Sequence, residues 1–129
     1  HMFFADRYLG FDDAIYASCR LLEILADTGK TISDLLSDVP KSYSTPEIRV
    51  ECPDNKKFSV VKKVTEYFRK RYKVIDIDGV RVLFEDGWGL VRASNTQPVL
   101  VLRFEAMSEK RLSEIRNLIE SVLDKIQKE

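Results

Sequence analysis

The chain has 129 residues, of which 44% are hydrophobic and 33% charged, a composition typical of a soluble globular protein. Its 21 basic and 21 acidic residues cancel, which weighs against a dedicated nucleic-acid or membrane-surface protein, because such proteins carry a basic excess. No apolar run approaches the roughly 20 residues that span a bilayer, and no basic segment precedes an apolar one at the start. We therefore expect no membrane partner and no signal peptide.

The cysteines Cys19 and Cys52 lie in unrelated contexts and form no CxxC motif. This usage is typical of free thiols in a reducing compartment. We therefore expect a cytoplasmic location.

Residues 1–40 predict two helices and no strand. Asp12 and Asp13 place negative charge in a first helical turn, and Gly29 ends that helix. Its apolar stripe contains Phe11, Ile15, Leu22 and Leu25. Thr31 is predicted to cap a second, short helix that Pro40 stops. Because no strand accompanies this wide apolar surface, we expect the segment to be the end of another domain. Its apolar surface can be covered by folding onto the sheet domain or by pairing between copies, and we expect association at high concentration.

Residues 41–46 are polar and end in a proline, which predicts a linker. Residues 47–52 then alternate between charged and apolar side chains. This alternation predicts a half-buried strand with Ile48, Val50 and Cys52 facing inward.

A basic amphipathic helix is predicted next, with Asp54 as its cap and an end near Tyr72. The predicted buried stripe contains Phe58, Val61, Val64, Phe68 and Tyr72. The predicted exposed face contains Lys56, Lys57, Lys62, Lys63, Arg69, Lys70 and Arg71. Solvation explains such a face, and nucleic-acid binding by Lys56–Arg71 is the alternative.

Two Asp-Gly pairs, Asp78-Gly79 and Asp86-Gly87, predict hairpin turns in a strand meander. Gly87 and Gly89 are attributed to turn geometry, because no helix follows them as a dinucleotide site requires. The apolar run 99–106 predicts an interior strand. Ser108 is predicted to cap a final helix whose stripe contains Leu112, Ile115, Ile119, Val122 and Ile126.

The order of elements from residue 46 onward is strand, helix, several strands, helix. This order predicts an α+β fold, with an antiparallel sheet of about four to five strands and two helices on one face.

A polar segment, Arg92–Pro98, lies between two apolar strands. Its arginine offers a planar fork of donors, its hydroxyls add more, and backbone N–H groups in a tight turn can form a nest for an anion. Turn geometry explains the same residues, so composition alone leaves both interpretations open. Three or four charge-assisted hydrogen bonds give millimolar affinity at best, so the segment would be one wall of a larger site.

Other chemistry is sparse. The only histidine is His1, so no Ser-His-Asp or Cys-His system can form away from the terminus. No Cys and His cluster has metal-ligand spacing, and Asp76 with Asp78 lacks further oxygen ligands. We expect no catalytic residue and no metal site in this chain.

Three runs, 78–82, 87–98 and 102–106, closely resemble the C-terminal domain of the α-D-phosphohexomutases, nearest to their bacterial phosphomannomutase/phosphoglucomutase branch. Residues 3–25 resemble the end of that family's third domain, and residues 45–48 resemble the crossover between the two domains. The resemblance implies a helical end of domain 3 over 1–40, a linker over 41–46, and the C-terminal domain over 47–129. It also implies that this last domain has a TATA-binding-protein-like topology.

The resemblance implies an isomerase that interconverts hexose 1-phosphates and 6-phosphates through a phosphoserine and a sugar bisphosphate. In that family the C-terminal domain closes over the phosphosugar and binds the phosphate that is not reacting. This phosphate contact is thereby assigned to Arg92, Ser94, Asn95 and Thr96. Gln97 stands where the family often has Glu or Thr, so it receives no role.

By the same resemblance, the phosphoserine loop, the Mg²⁺ loop and the complete sugar loop belong to the other domains of the parent enzyme. We therefore expect no mutase activity from this chain, Mg²⁺ bound outside it, and the remaining parent domains as partners. The start His1-Met2-Phe3-Phe4 fits a family pattern that would place His1 along the parent active site. A cloning vector can leave the same first two letters, and the preferred hexose phosphate stays undetermined.

Overall fold

The computed structural model describes residues 1–128 and divides the chain into two units, His1–Val39 (unit 1) and a second that begins at Pro40 (unit 2). In chain order the elements are α1 (Ala14–Thr28), α2 (Ile32–Leu35), β1 (Tyr43–Ser44), β2 (Ile48–Glu51), α3 (Asp54–Arg69), β3 (Lys73–Ile75), β4 (Val80–Phe84), β5 (Gly87–Ala93), β6 (Val99–Ala106) and α4 (Glu109–Gln127). None of the described helices is long and apolar enough to cross a membrane.

Unit 1 has well-capped helices. The Asp13 carboxylate accepts a hydrogen bond from the Tyr16 N–H at 2.9 Å, which makes Asp13 the N-cap of α1. Both aspartates therefore precede the helix, and the prediction that they lie in its first turn is wrong. Gly29 ends α1 in the left-handed region with φ of 62°, and Thr31 caps α2 as predicted.

The apolar stripe of α1 is largely exposed. Ile15 is 79% exposed and Leu22 is 64% exposed, whereas Ala17 is the buried residue of the helix. A groove of about 540 Å³ in unit 1 is lined mainly by apolar side chains, among them Met2, Phe4, Leu21 and Ile24. The amphipathic sequence therefore does form a helix, but the described residues of unit 1 do not bury its apolar side chains in a core.

Unit 2 contains one antiparallel sheet in the order β1-β6-β5-β4-β3, with β2 also paired to β6. Tyr43 pairs with Ala106 and Ile48 pairs with Leu102, so β1 and β2 lie along the same edge of β6. They act as one interrupted edge strand, which agrees with the predicted four to five strands. Strand β6 is interior, as predicted.

The predicted linker over residues 41–46 contains the two-residue strand β1. Thr45 donates its N–H to the Phe104 carbonyl at 3.0 Å and accepts the Phe104 N–H on Oγ1 at 3.2 Å. The segment between β1 and β2 is thereby bonded to the sheet.

The core of unit 2 lies between one face of the sheet and the two long helices. Its largest fully buried side chains are Phe68, Phe104, Leu100, Leu102, Ile115, Ile119 and Leu123. A Cβ at Gly89 would lie 2.4 Å from Ile119 Cδ1, and one at Gly87 would lie 2.8 Å from Ile115 Cδ1. Because these glycines have no side chain, α4 can pack closely against the sheet at both positions. Their attribution to turn geometry is therefore corrected.

The turn between β4 and β5 is formed by Glu85 and Asp86, whereas Gly87 already belongs to β5, so the predicted Asp-Gly turn is shifted by one residue. Arg111 on α4 donates Nε to Asp86 Oδ2 at 2.8 Å. Hydrogen bonds from this guanidinium hold the pKa of the Asp86 carboxyl below its ordinary value.

Helix α3 differs from its prediction at both ends. Pro53 occupies the N-cap, Asp54 is the first helical residue, and the helix ends at Arg69 rather than near Tyr72. Its buried stripe includes Lys57, which is 4% exposed, whereas Phe58 is 59% exposed. Phe58 and Lys57 are therefore exchanged in burial relative to the prediction, and Tyr72, Lys70 and Arg71 lie beyond the end of the helix.

Candidate anion-binding site

The predicted polar segment divides between a strand and a loop. Arg92 and Ala93 are the last residues of β5, and Arg92 pairs with Val101 on β6. The loop itself is shorter and covers residues 94–98. The charged member of the predicted site is therefore carried by the sheet, which is more rigid than a loop.

Strand alternation places Arg92 on the face of the sheet that the helices leave open. Gly89, Val91 and Ala93 are buried toward the helices, so Leu90 and Arg92 face the other side. A groove of about 420 Å³ lies on that face and is lined by Glu47, Ile75, Ile77, Asp78, Arg81, Trp88, Leu90, Arg92, Val101 and Arg103.

The Asp78-Gly79 turn positions Arg92. Arg92 donates Nη1 to Asp78 Oδ2 at 3.1 Å, a single contact that leaves most of its donors available. Gly79 has φ of +77°, and a Cβ there would lie 2.4 Å from the Val91 carbonyl oxygen and 2.6 Å from Arg92 Cβ. The predicted hairpin is present between β3 and β4, but residues 76–79 connect the strands rather than Asp78 and Gly79 alone. The close approach of Gly79 to β5 fixes the base of the Arg92 side chain.

The groove is locally positive on a chain with no net charge. Its lining includes three arginines and two carboxylates. The carboxylates already have cationic partners, because Glu47 accepts from Arg49 Nε at 2.9 Å and Asp78 accepts from Arg92. The Arg81 guanidinium lies 4.0 Å from the Trp88 ring centroid, which fixes it by a cation–π contact. Such a surface attracts anions.

The loop after Arg92 is organised by Ser94. Its Oγ accepts the N–H of Thr96 at 3.3 Å and that of Gln97 at 3.2 Å, and its own N–H donates to Val99 O at 3.0 Å. Every described non-glycine residue has a negative φ, so the loop contains no left-handed residue of the kind that forms an αR–αL anion nest. Within the described residues, the Asn95 N–H and the side chains of Asn95 and Thr96 make no hydrogen bond.

Three contacts to the end of the loop were not anticipated from the sequence. Lys57 donates Nζ to the Gln97 carbonyl at 3.1 Å, and Arg49 donates Nη1 to Gln97 Oε1 at 2.8 Å. The Cys52 N–H donates to the Pro98 carbonyl at 3.0 Å. The sequence did contain a signal for the burial of Lys57, because Lys57 lies at helical spacing, four and seven residues, before the buried Val61 and Val64.

The basic face of α3 is less continuous than predicted. Lys57 is buried, and Arg69 forms an ion pair with Asp76. The Arg71 guanidinium lies 4.3 Å from the Tyr67 ring centroid. These contacts reduce the charge that the face offers to a nucleic acid.

The remaining candidate residues are His1, the two cysteines and the acidic side chains. His1 lies in unit 1, where its Nδ1 contacts the Asp12 carboxylate. Cys19 and Cys52 are unpaired. Across residues 1–128, no group of three or more His, Cys, Asp or Glu side chains is arranged to hold a metal ion.

Comparison with known proteins gives two family matches in consecutive parts of the chain. Residues 47–122 match the model "Phosphoglucomutase/phosphomannomutase, C-terminal domain". Residues 1–43 match the model "Phosphoglucomutase/phosphomannomutase, alpha/beta/alpha domain III". The fold, the basic groove and these matches define one class: the chain belongs to the phosphoglucomutase/phosphomannomutase family and corresponds to its C-terminal part.

Individual relatives agree with that assignment. The phosphomannomutase/phosphoglucomutase of Pseudomonas syringae pv. tomato is 46% identical over 127 residues, which cover 98% of this chain and 27% of the relative. The phosphoglucomutase of Neisseria gonorrhoeae is 42% identical over 96% of this chain and 27% of its own length. A solved phosphoglucomutase/phosphomannomutase family protein from Burkholderia thailandensis has a TM-score of 0.78 and 40% identity, covering 98% of this chain and 26% of that one. The chain therefore spans about a quarter of the length of these relatives.

Proposed function

We propose that unit 2 binds the phosphate group of a phosphosugar at Arg92, Ser94, Asn95 and Thr96. The proposal rests on Arg92, whose guanidinium makes one hydrogen bond, to Asp78, and lines a positively charged groove. Arg92 supplies the charge and a planar fork of donors. The free donors of Asn95 and Thr96 lie in the adjacent loop, and the Ser94 hydroxyl still has its own proton to donate.

The parent activity that fits this site is that of a phosphohexomutase, an isomerase that moves phosphate between the 1- and 6-positions of a hexose through a phosphoserine and a sugar bisphosphate. Unit 2 acts there as a lid that holds the phosphate that is not reacting. Mg²⁺ and the phosphoserine belong to other parent domains, and the chain alone has no mutase activity. Relatives named for both phosphomannose and phosphoglucose conversion support the substrate class.

We also infer the domain assignment of the chain. Residues 1–40 form the helical end of domain 3, residues 41–46 connect the two domains, and residues 47–129 form the C-terminal domain. The consecutive family matches support this division. The partners are the remaining parent domains in the cytoplasm, and the exposed apolar stripe of α1 leads to self-association in their absence.

Nuclear magnetic resonance of the ¹⁵N-labelled chain tests the binding proposal. Titration with a hexose 6-phosphate at constant ionic strength should shift the amides of residues 92–96 in a saturable manner, with millimolar affinity. Arg92→Gln should abolish that response. Arg116→Gln is the matched control, because Arg116 forms an ion pair with Glu120 within α4. Equal binding by wild type and Arg92→Gln would contradict the proposal.

A turnover assay tests the inactivity of the chain. Hexose 1-phosphate, Mg²⁺ and a catalytic amount of hexose bisphosphate are supplied, and formation of 6-phosphate is measured. No turnover above the protein-free rate is expected. Turnover that tracks the chain through purification would contradict the assignment of catalysis to other domains.

A further inference from the structure

Gln97 is the most constrained residue of the loop after Arg92. Its carbonyl accepts hydrogen bonds from Lys57 Nζ at 3.1 Å and from the Val99 N–H at 2.8 Å. Its Oε1 accepts from Arg49 Nη1 at 2.8 Å, and its N–H donates to Ser94 Oγ at 3.2 Å. All four contacts converge on a residue that stands beside the free donors of Asn95 and Thr96.

Lys57 occupies a position that is unfavourable for a lysine. It is 4% exposed and lies in the first turn of α3, where the helix dipole disfavours a cation. Its ammonium donates to Asp54 at 2.6 Å and to the Gln97 carbonyl. Asp54 is 70% exposed and could be reached from solvent, so the contact that requires burial is the one to the loop.

Arg49 holds the same residue from the sheet. It pairs with Val101, which pairs in turn with Arg92, so Arg49 and Arg92 lie in one cross-sheet row, two strands apart. That separation is about 10 Å. Arg92 therefore stands at the start of the loop, and Arg49 stands at its end.

We propose that Lys57, Arg49 and Gln97 are positioning residues for phosphate binding. They fix the end of the loop, so that the donors of Asn95 and Thr96 are already ordered in the absence of the anion. The entropy lost in ordering the loop then does not reduce the free energy of phosphate binding. This inference rests on the proposed phosphate site. It gives a specific role to Gln97, whose side-chain Oε1 accepts from Arg49.

Lys57→Met and Lys56→Met form a matched pair. Each removes one positive charge from the first turn of α3, but the contact to the loop belongs to Lys57. With inorganic phosphate as the probe, Lys57→Met should weaken binding about tenfold, equivalent to about 1.4 kcal/mol. It should also increase the picosecond–nanosecond mobility of the amides of residues 94–97. Lys56→Met should stay within about twofold of wild type, because an exposed charge is screened by salt.

A double-mutant cycle tests the same role at exposed positions, where folding is not at risk. Arg49→Met and Gln97→Ala should each weaken phosphate binding several-fold, and the double variant should be no weaker than Gln97→Ala alone. Additive losses, or wild-type mobility of the loop amides in Gln97→Ala, would overturn the positioning role.

The two proposals fail in different ways. No phosphate-dependent shift in the wild-type chain would remove the proposed function. Normal phosphate binding by wild type together with unchanged affinity and mobility in Lys57→Met and Gln97→Ala would remove only the positioning role.

Discussion

Units 1 and 2 contain amphipathic helices of similar pattern but opposite outcome. Helix α4 places Ile115, Ile119 and Leu123 against the sheet, where each is about 1% exposed or less. The stripe of α1 has comparable residues, yet Ile15 and Leu22 remain mostly exposed. The difference teaches that an apolar stripe specifies a helix, whereas a core also requires a second apolar face to meet it.

The largest expected effect comes from removing a core side chain of unit 2. Phe104→Ala should lower the free energy of unfolding by about 3–5 kcal/mol, because it leaves a cavity between the sheet and the helices. Leu22→Ala on α1 should change it by less than about 0.5 kcal/mol. Urea unfolding followed by the fluorescence of Trp88, the only tryptophan, reports on unit 2. Equal losses in the two variants would break the comparison.

Two glycines with positive φ give the next largest contrast. Gly79→Ala should cost about 2–4 kcal/mol, because left-handed strain is combined with contacts below 3.0 Å to Val91 and Arg92. Gly29→Ala should cost about 1 kcal/mol, because nothing lies within 4 Å of its added Cβ. Thermal unfolding measures both. Phosphate binding should be weakened by Gly79→Ala and unchanged in Gly29→Ala.

The exposed stripe itself can be tested by sedimentation. If copies of the chain associate through this stripe, the double variant Ile15→Glu and Leu22→Glu should weaken self-association at least about tenfold, because charge replaces the exposed apolar surface. Met107→Glu is the matched control, because Met107 is also exposed but lies in unit 2. Identical sedimentation of the two variants would show that the stripe does not mediate association.

The smallest expected effect concerns acid stability. The Asp86 carboxyl has a lowered pKa in the folded chain, so its contribution to stability is present above its ordinary pKa near 4 and is lost as pH falls below that value. Asp86→Asn should therefore reduce the free energy of unfolding at neutral pH. In this variant the free energy of unfolding should also fall less steeply as the pH is lowered below about 4. Unfolding midpoints followed by Trp88 fluorescence from pH 7 to 3 measure this. An unchanged slope would indicate that the Arg111 contact does not stabilise unit 2.

Most elements could be predicted from apolar periodicity and from helix and turn signals, because these are local. The partners of a given side chain are not local. The sequence favoured Phe58 over Lys57 for the core because phenylalanine is apolar, but a carbonyl 40 residues away at Gln97 provides a partner for the buried ammonium. The strand at Tyr43 was missed for the same reason, since its pairing partner Ala106 is distant in sequence.

Composition drew attention to the segment Arg92–Pro98, and the family resemblance assigned it the phosphate contact, but neither gave its geometry. Residue type identified Arg92 and the polar residues after it. It could not show that Arg92 lies on a strand or that the Ser94 hydroxyl oxygen accepts hydrogen bonds within the loop. Nor could it show that Gln97 accepts hydrogen bonds from both Arg49 and Lys57. These features follow from strand register and from the contacts of Arg49 on β2 and Lys57 on α3 with the loop, which join residues distant in sequence.

One titration tests the central claim most directly. Inorganic phosphate is added to the ¹⁵N-labelled wild-type chain at constant ionic strength, and amide shifts are followed in both units. We expect saturable shifts confined to residues 92–96 and their contacts in unit 2, with none in residues 1–39. Shifts that do not saturate, or that follow the exposed lysines of α3 instead, would contradict it.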